Sequence, residues 1–410
     1  MSAMLGSYLF DWLSLLGRWL HVITGIAWIG ASFYFVWLDN HLLPPTRQEV
    51  LDAGVGGEVW AVHGGGFYNA QKYKIAPAAL PPTLHWFYWE AYSTWLSGFF
   101  LLCLMYFGKA EVYLIDPTVA ALSKPAAIAI ALAFLAGGWL IYDTLCRSPL
   151  GRNDRALGAV IAVVMFAAAW GLCELFSGRG AYILFGALLG TIMVANVFFV
   201  IIPSQREMVK AKRENRLVDP VYGRRGKQRS VHNTYFTLPV LFAMISNHYA
   251  MTYAAKYNAA VLIAMSIAGV CIRAWFVARH KAHERGGKTS PLTLLLGLLT
   301  LAGVAFALVP ANVSVPATSA IPVSTQQRFA DIQTILQQRC VPCHAPTPTL
   351  AGFTAAPNGV LLDTPEHILA RTVQMQTQLS TRVMPIGNLT QMTEAERTQV
   401  IAWLIDGAPH

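Results

Sequence analysis

The sequence predicts an all-α fold: a polytopic bundle of eight membrane-spanning helices in residues 1–310, a linker at 311–324 and a small helical domain at 325–410. Three observations predict it. Of the 410 residues, 55% are hydrophobic and 12% charged, and mean hydropathy is +0.45. That is too little charged surface for an ordinary water-soluble chain and too much apolar length for one core. Apolar stretches recur at lengths suited to a helix of about 20 residues crossing roughly 30 Å of hydrocarbon. This character stops at Pro310, where proline-rich and then polar sequence takes over.

The apolar stretches lie near residues 9–38, 84–107, 125–145, 156–176, 181–202, 232–254, 257–279 and 291–310. Met1–Leu9 has no basic segment before its apolar run, so the first helix is expected to insert and stay rather than be cleaved. Loops 39–83, 146–155, 203–231 and 280–290 together hold eighteen Lys and Arg, against four (Lys109, Lys124, Arg179 and Lys256) in the alternate loops. Basic residues are retained on the cytoplasmic side. Both termini are therefore expected outside, which for a bacterial inner membrane means the periplasm. The same rule accounts for the basic run Arg206–Arg229 and for the net charge of +9, so no nucleic-acid partner is implied.

Residues 310–324 hold three prolines among Ala, Ser, Thr and Val, a composition that favours an extended spacer. In the domain that follows, Ser324 with Gln327 and Thr393 with Glu396 read as capping boxes, each opening a helix. The first helix leads into Cys340; the last carries Val400, Ile401, Trp403 and Leu404 at helical spacing. The two are expected to pack on each other.

Cys340-Val341-Pro342-Cys343-His344 is a C-x-x-C-H run, the attachment signature of a c-type haem, with both thiols bonded to the porphyrin and the histidine beneath the iron. The small domain is thus expected to be a class-I-like cytochrome c. Met384, 40 residues beyond His344 and just before Pro385, is the expected second axial ligand, because proline holds it out of a helix and a thioether suits an electron-accepting haem. Met375, Met392 and His367 compete for that role. Cys103, Cys146, Cys173 and Cys271 have no such partners and read as small buried hydrophobes.

Ionisable residues inside a bilayer cost energy and mark functional sites. His21 in the first span, with Gly25 and Gly30 leaving flat space beside it, and His248 at the outer end of the sixth, either hold a b-type haem between them or each bond to a neighbouring helix. His85 and, deeper, Glu90 open the second span among aromatics, where a carboxylate can hold or pass a proton. Arg273 in the seventh span either snorkels to the interface or binds an anionic substrate. His232 and Asn233 start the sixth span and Asn196 lies inside the fifth. The glycines at 56–57 and 64–66 read as a flexible loop or a close ligand approach, without the context of a phosphate loop.

The stretches WLHVITGIAWIGASFYFVWLDNHL, HGGGFYNAQKY and HWFYWEAYSTW, followed by the C-terminal haem motif, resemble the bacterial membrane-integral, cytochrome-c-linked urate oxidases over essentially the whole chain. The resemblance implies oxidation of urate to 5-hydroxyisourate, with electrons leaving through the cytochrome domain to a terminal oxidase or a soluble cytochrome. For an anionic, planar urate, Arg273, Asn196, Trp86 and Trp89 supply the donors and stacking surfaces. A membrane-anchored electron carrier and a quinol-linked cytochrome b/c dehydrogenase are the alternatives, although an anchor needs one helix rather than eight.

Overall fold

The computed structural model describes residues 2–284, 287–309, 324–350, 353 and 355–410; the linker expected at 311–324 lies, except for Ser324, outside them. Helices occupy all eight apolar segments: α1 (Ser2–Asn40), α2 (Trp89–Leu101), α3 (Lys124–Arg147), α4 (Asp154–Leu175), α5 (Gly178–Asn196), α6 (Pro220–Ile245), α7 (Asn258–Glu284) and α8 (Leu292–Ala307). A π-helical stretch, Leu102–Phe107, continues α2. Another, Val197–Ile201, carries α5 into Ile202–Arg213. Among the described residues, five helices, α1, α3, α4, α5 with its continuation and α7, are long and apolar enough to cross a membrane.

Local sequence sets where these helices begin. Ser123, Asn153, Ser177 and Asp219 each accept a backbone N–H of the first turn, satisfying a donor the helix cannot. Pro125 and Pro220 follow two of these caps at positions where a missing N–H costs nothing. The Asp219-Pro220 cap starts α6 twelve residues before the expected span, so His232 sits in mid-helix rather than at its start. In contrast, α2 begins later than expected, at Trp89, and leaves His85 exposed in the extended segment ahead of it.

Helix α5 is the centre of the bundle. It is buried on nearly every face, as a helix apolar all round must be, and α2, α3, α4 and α6 pack around it. Helix α1 lies against α2, where a Cβ on Gly98 would come 2.8 Å from the His21 ring; only glycine lets the two approach so closely. At about 1.5 Å per residue, the 39 residues of α1 extend about 58 Å, well beyond a 30 Å hydrocarbon layer.

The all-α expectation fails between α1 and α2. Val55–His63 (β1) and Gly66–Tyr73 (β2) form an antiparallel hairpin in which His63 pairs with Gly66. Gly64 and Gly65, read in sequence as a flexible loop, are its two-residue turn, with φ of +56° and +80°. Both angles belong to the type I′ turn that matches strand twist, and glycine adopts them without Cβ strain.

The C-terminal domain contains α9 (Thr325–Arg339), α10 (Pro365–Leu369), α11 (Thr372–Ser380) and α12 (Glu394–Ile405). Trp403 is fully buried among Ile332, Leu336, Val400 and Ile401 and stacks on Phe329 at 5.7 Å, so α9 and α12 pack together as expected. The Thr393–Glu396 capping box is complete. The other is half formed, since Gln327 turns its side chain to Asp331. This domain meets the bundle where the turn Ile386–Asn388 lies on the short helix Ala110–Tyr113.

Candidate functional site

The C-x-x-C-H segment coils at the end of α9. The backbone N–H groups of Cys343 and His344 both donate to the Cys340 carbonyl, at 3.1 and 2.9 Å. That turn brings both thiols and the imidazole to one cavity of about 1240 Å³, which Met384 also lines. His344 Nδ1 donates to the Val360 carbonyl at 2.9 Å. A carbonyl only accepts, so the proton is on Nδ1 and Nε2 keeps its lone pair for a metal. Burial pushes the Cys340 thiol up to about 12 and raises that of Cys343, so both are protonated at neutral pH, the form that adds S–H across a vinyl group.

Of the competitors of Met384, Met375 and Met392 line the same cavity, and His367 does not. Met375 and Met392 belong to the buried core of the domain, and His367 is bonded to Asp363 at 2.8 Å. Met384 is only half-buried, and its carbonyl accepts from Arg397 Nη1 at 2.6 Å, which anchors the segment. The donor set and the cavity fit a covalently attached haem, which Cys340, Cys343, His344 and Met384 would hold. Among the described residues, no three His, Cys, Asp or Glu side chains gather as for a bare metal ion.

The five candidates of the bundle do not form one constellation: no hydrogen bond or ion pair among the described residues joins any two of them. His21 Nδ1 bonds to the Thr94 carbonyl and Ser97 Oγ of α2, at 3.0 and 3.1 Å. His248 ends a 3-10 turn beyond α6 and is exposed. Neither lines the cavity below the C-terminal domain, though Asn247 does. Glu90 lies in the first turn of α2, its Oε2 buried without a partner.

Arg273 on α7 is 8% exposed. Its guanidinium lies 4.2 Å from the centre of the Phe33 ring, and its Nε and Nη2 are buried without acceptors. Each unmet donor costs about 1–3 kcal/mol, and an anionic ligand would offset that cost. Trp275 Nε1, two residues on, is also buried and unpartnered. Trp86, like Trp28, Tyr88 and Tyr92, packs against the buried group Ala91, Val194, Val197 and Ile202, while Trp89 is exposed.

Three residues named from the sequence do come together, with three that were missed. Asn196 Nδ2 donates to the Tyr142 hydroxyl (3.0 Å) and to Asn233 Oδ1 (2.9 Å). The Tyr142 hydroxyl lies 2.7 Å from His232 Nδ1. Arg229 donates to Asn196 Oδ1 at 3.3 Å and to Asp143 at 2.7 Å. Arg229 is 4% exposed, so it is a paired buried cation and not the solvated loop charge expected from the run 206–229. The network joins α3, α5 and α6 at the end of the bundle remote from the C-terminal domain. It offers a connected path of proton donors and acceptors within an apolar surround.

A family model described as urate oxidase N-terminal matches residues 7–308, essentially the whole bundle with its hairpin. No curated protein and no solved structure matches the chain.

Proposed function

The chain belongs to the urate oxidase N-terminal family, and from that membership we propose that it is a membrane-bound urate oxidase linked to its own C-terminal cytochrome c. Urate and water give 5-hydroxyisourate, two protons and two electrons, so the site must bind a planar anion, take up protons and pass electrons on. The family match with a haem-fitting cavity against the same bundle is the observation that carries the proposal. In this reading the eight helices span a bacterial inner membrane with both termini in the periplasm, and the electrons leave for a terminal oxidase or a soluble cytochrome.

Arg273 is the proposed anion clamp. Stacked on Phe33 with two donors open, its guanidinium presents the fork that pairs with a planar oxyanion. Glu90, with one carboxylate oxygen unengaged, is the proposed proton acceptor for the attacking water. The Tyr142–His232–Asn196–Arg229–Asp143 network then relays protons toward the remote end of the bundle.

When bound, a haem c at Cys340, Cys343, His344 and Met384 supplies one-electron acceptance. His344 and Met384 are its proposed iron ligands, and the Val360 carbonyl fixes the His344 tautomer. A second, b-type haem between His21 and His248 fits less well: the His21 ring lies close against Gly98 of α2, and His248 is exposed beyond the end of α6. Pyridine haemochrome spectra decide whether b accompanies c.

The experiment that tests the function is reduction of the purified protein by urate without oxygen, compared with reduction by quinol. Reduction by urate alone supports the proposal. Reduction by quinol alone assigns the bundle to a quinol-linked dehydrogenase, and reduction by neither leaves a carrier.

A further inference from the structure

The cavity beside Cys340 is built by both parts of the chain, and its bundle-side wall carries charge that the fold does not use. Arg18, Lys109 and Arg179 line it, and among the described residues none of the three is ion-paired. Arg18 Nη2 meets the Met105 sulfur at 3.2 Å, Lys109 Nζ lies 3.9 Å from the Phe10 ring centre, and the Arg179 guanidinium lies 5.0 Å from that of Tyr113. Arg179 Nε is buried with no acceptor. On the opposite wall Arg382 is bonded twice to Glu394, at 2.9 and 2.7 Å, Arg339 to Glu396 at 2.9 Å and Arg397 to the Leu379 and Met384 carbonyls, which leaves Arg371 as the one cavity cation there without an ion pair or side-chain hydrogen bond among the described residues. The cavity's carboxylates are Asp11, Asp116 and Glu394. Asp116 accepts from Thr118 at 2.9 and 2.6 Å, and Glu394 is held by Arg382.

Cations that rest on aromatic rings or a thioether, with donors still open, suit an anionic ligand. The porphyrin that the facing thiols would attach carries two carboxylates. We propose that Arg18, Lys109 and Arg179 receive the propionates of the haem bound at Cys340 and Cys343, so that the bundle completes a cofactor site begun by the C-terminal domain. The contact of Gly387 with the Val112 and Ile115 carbonyls, 3.6 and 3.7 Å from a Cβ built there, closes the two walls together. The overlong α1 has a use in this scheme, since Phe10, Asp11, Ser14 and Arg18 on its first half all face the cavity.

This inference rests on the haem assignment above, and its test separates the two. Covalent haem content and midpoint potential are measured by spectroelectrochemistry on the full chain and on R18Q, K109Q, R179Q, R179K, R371Q and R382Q. A nearby cation favours the reduced state, so each Gln variant should keep its haem while its potential falls. The expected change is at least threefold in the reduction equilibrium, about 28 mV at 59 mV per tenfold for one electron. R179K should restore most of it, and added salt should shrink it. Unmoved potentials in haem-loaded R18Q and R179Q overturn the proposal, as does a fall confined to R371Q and R382Q, which would put the propionates on the C-terminal domain's own wall. Should R179Q not fold, R18Q, at an exposed position, decides the matter. Wild-type chain without covalent haem would instead bring down the haem assignment itself.

Discussion

The Tyr142 hydroxyl and His232 Nδ1 are 2.7 Å apart, a contact that ties α3 to α6 inside the bundle and places both side chains in one network with the fully buried Asn196. Tyr142→Phe removes the shared oxygen and leaves two buried partners unmet, a loss of about 1–3 kcal/mol for each. Asp143→Ala should cost more, about 3–5 kcal/mol, because it strands the Arg229 cation in the interior. Thermal unfolding in one detergent ranks the two variants, and Asp143→Ala no worse than Tyr142→Phe would contradict the pairing.

Arg273→Ala should raise KM for urate by about a hundredfold, the scale of one or two charge-assisted hydrogen bonds at about 1.5–3 kcal/mol each. Arg273→Lys keeps the charge and loses the fork, so it should recover only part of the affinity. Steady-state kinetics equal to wild type in the Ala variant would remove Arg273 from the substrate site.

Arg339 holds the Glu396 carboxyl below its ordinary value. A depressed folded value means that the pair stabilises the domain above the unfolded carboxyl pKa of about 4.3 and that this contribution disappears as pH falls through the lower, folded value. Hydrogen exchange of α12 should therefore quicken on acidification in that window, and Glu396→Gln should flatten the response. Superimposable acid profiles would show that the pair contributes nothing.

Met384→Ala should lower the haem potential and convert low-spin iron to high-spin, read by electron paramagnetic resonance, because it removes the proposed second ligand. Met375→Ala should instead lose about 2–5 kcal/mol of packing with the spin state unchanged. The reverse pattern would make Met375 the ligand.

Much of this was legible in the sequence because a long apolar run leaves the backbone few options. The backbone must satisfy itself, so each apolar run near twenty residues is a helix, and helices stand at all eight. The hairpin was less visible: Gly64-Gly65 between Trp60, Val62 and Phe67, Tyr68 carries a type I′ signal, but the surrounding glycines suggested an unstructured loop. Arg229 was misjudged because its charge matched the retention pattern of its neighbours. Only the early start of α6, signalled by Asp219-Pro220, puts it beside Asp143. Where Arg18 and Arg179 face depends on how two domains meet, which no local pattern encodes.

Anaerobic addition of urate to the fully oxidised protein tests the central claim most directly. The account predicts covalent c-haem that becomes ferrous, with two haems reduced for each urate consumed, and no comparable reduction by quinol. Haem that stays ferric in excess urate, or a chain isolated with no covalent haem, would contradict it.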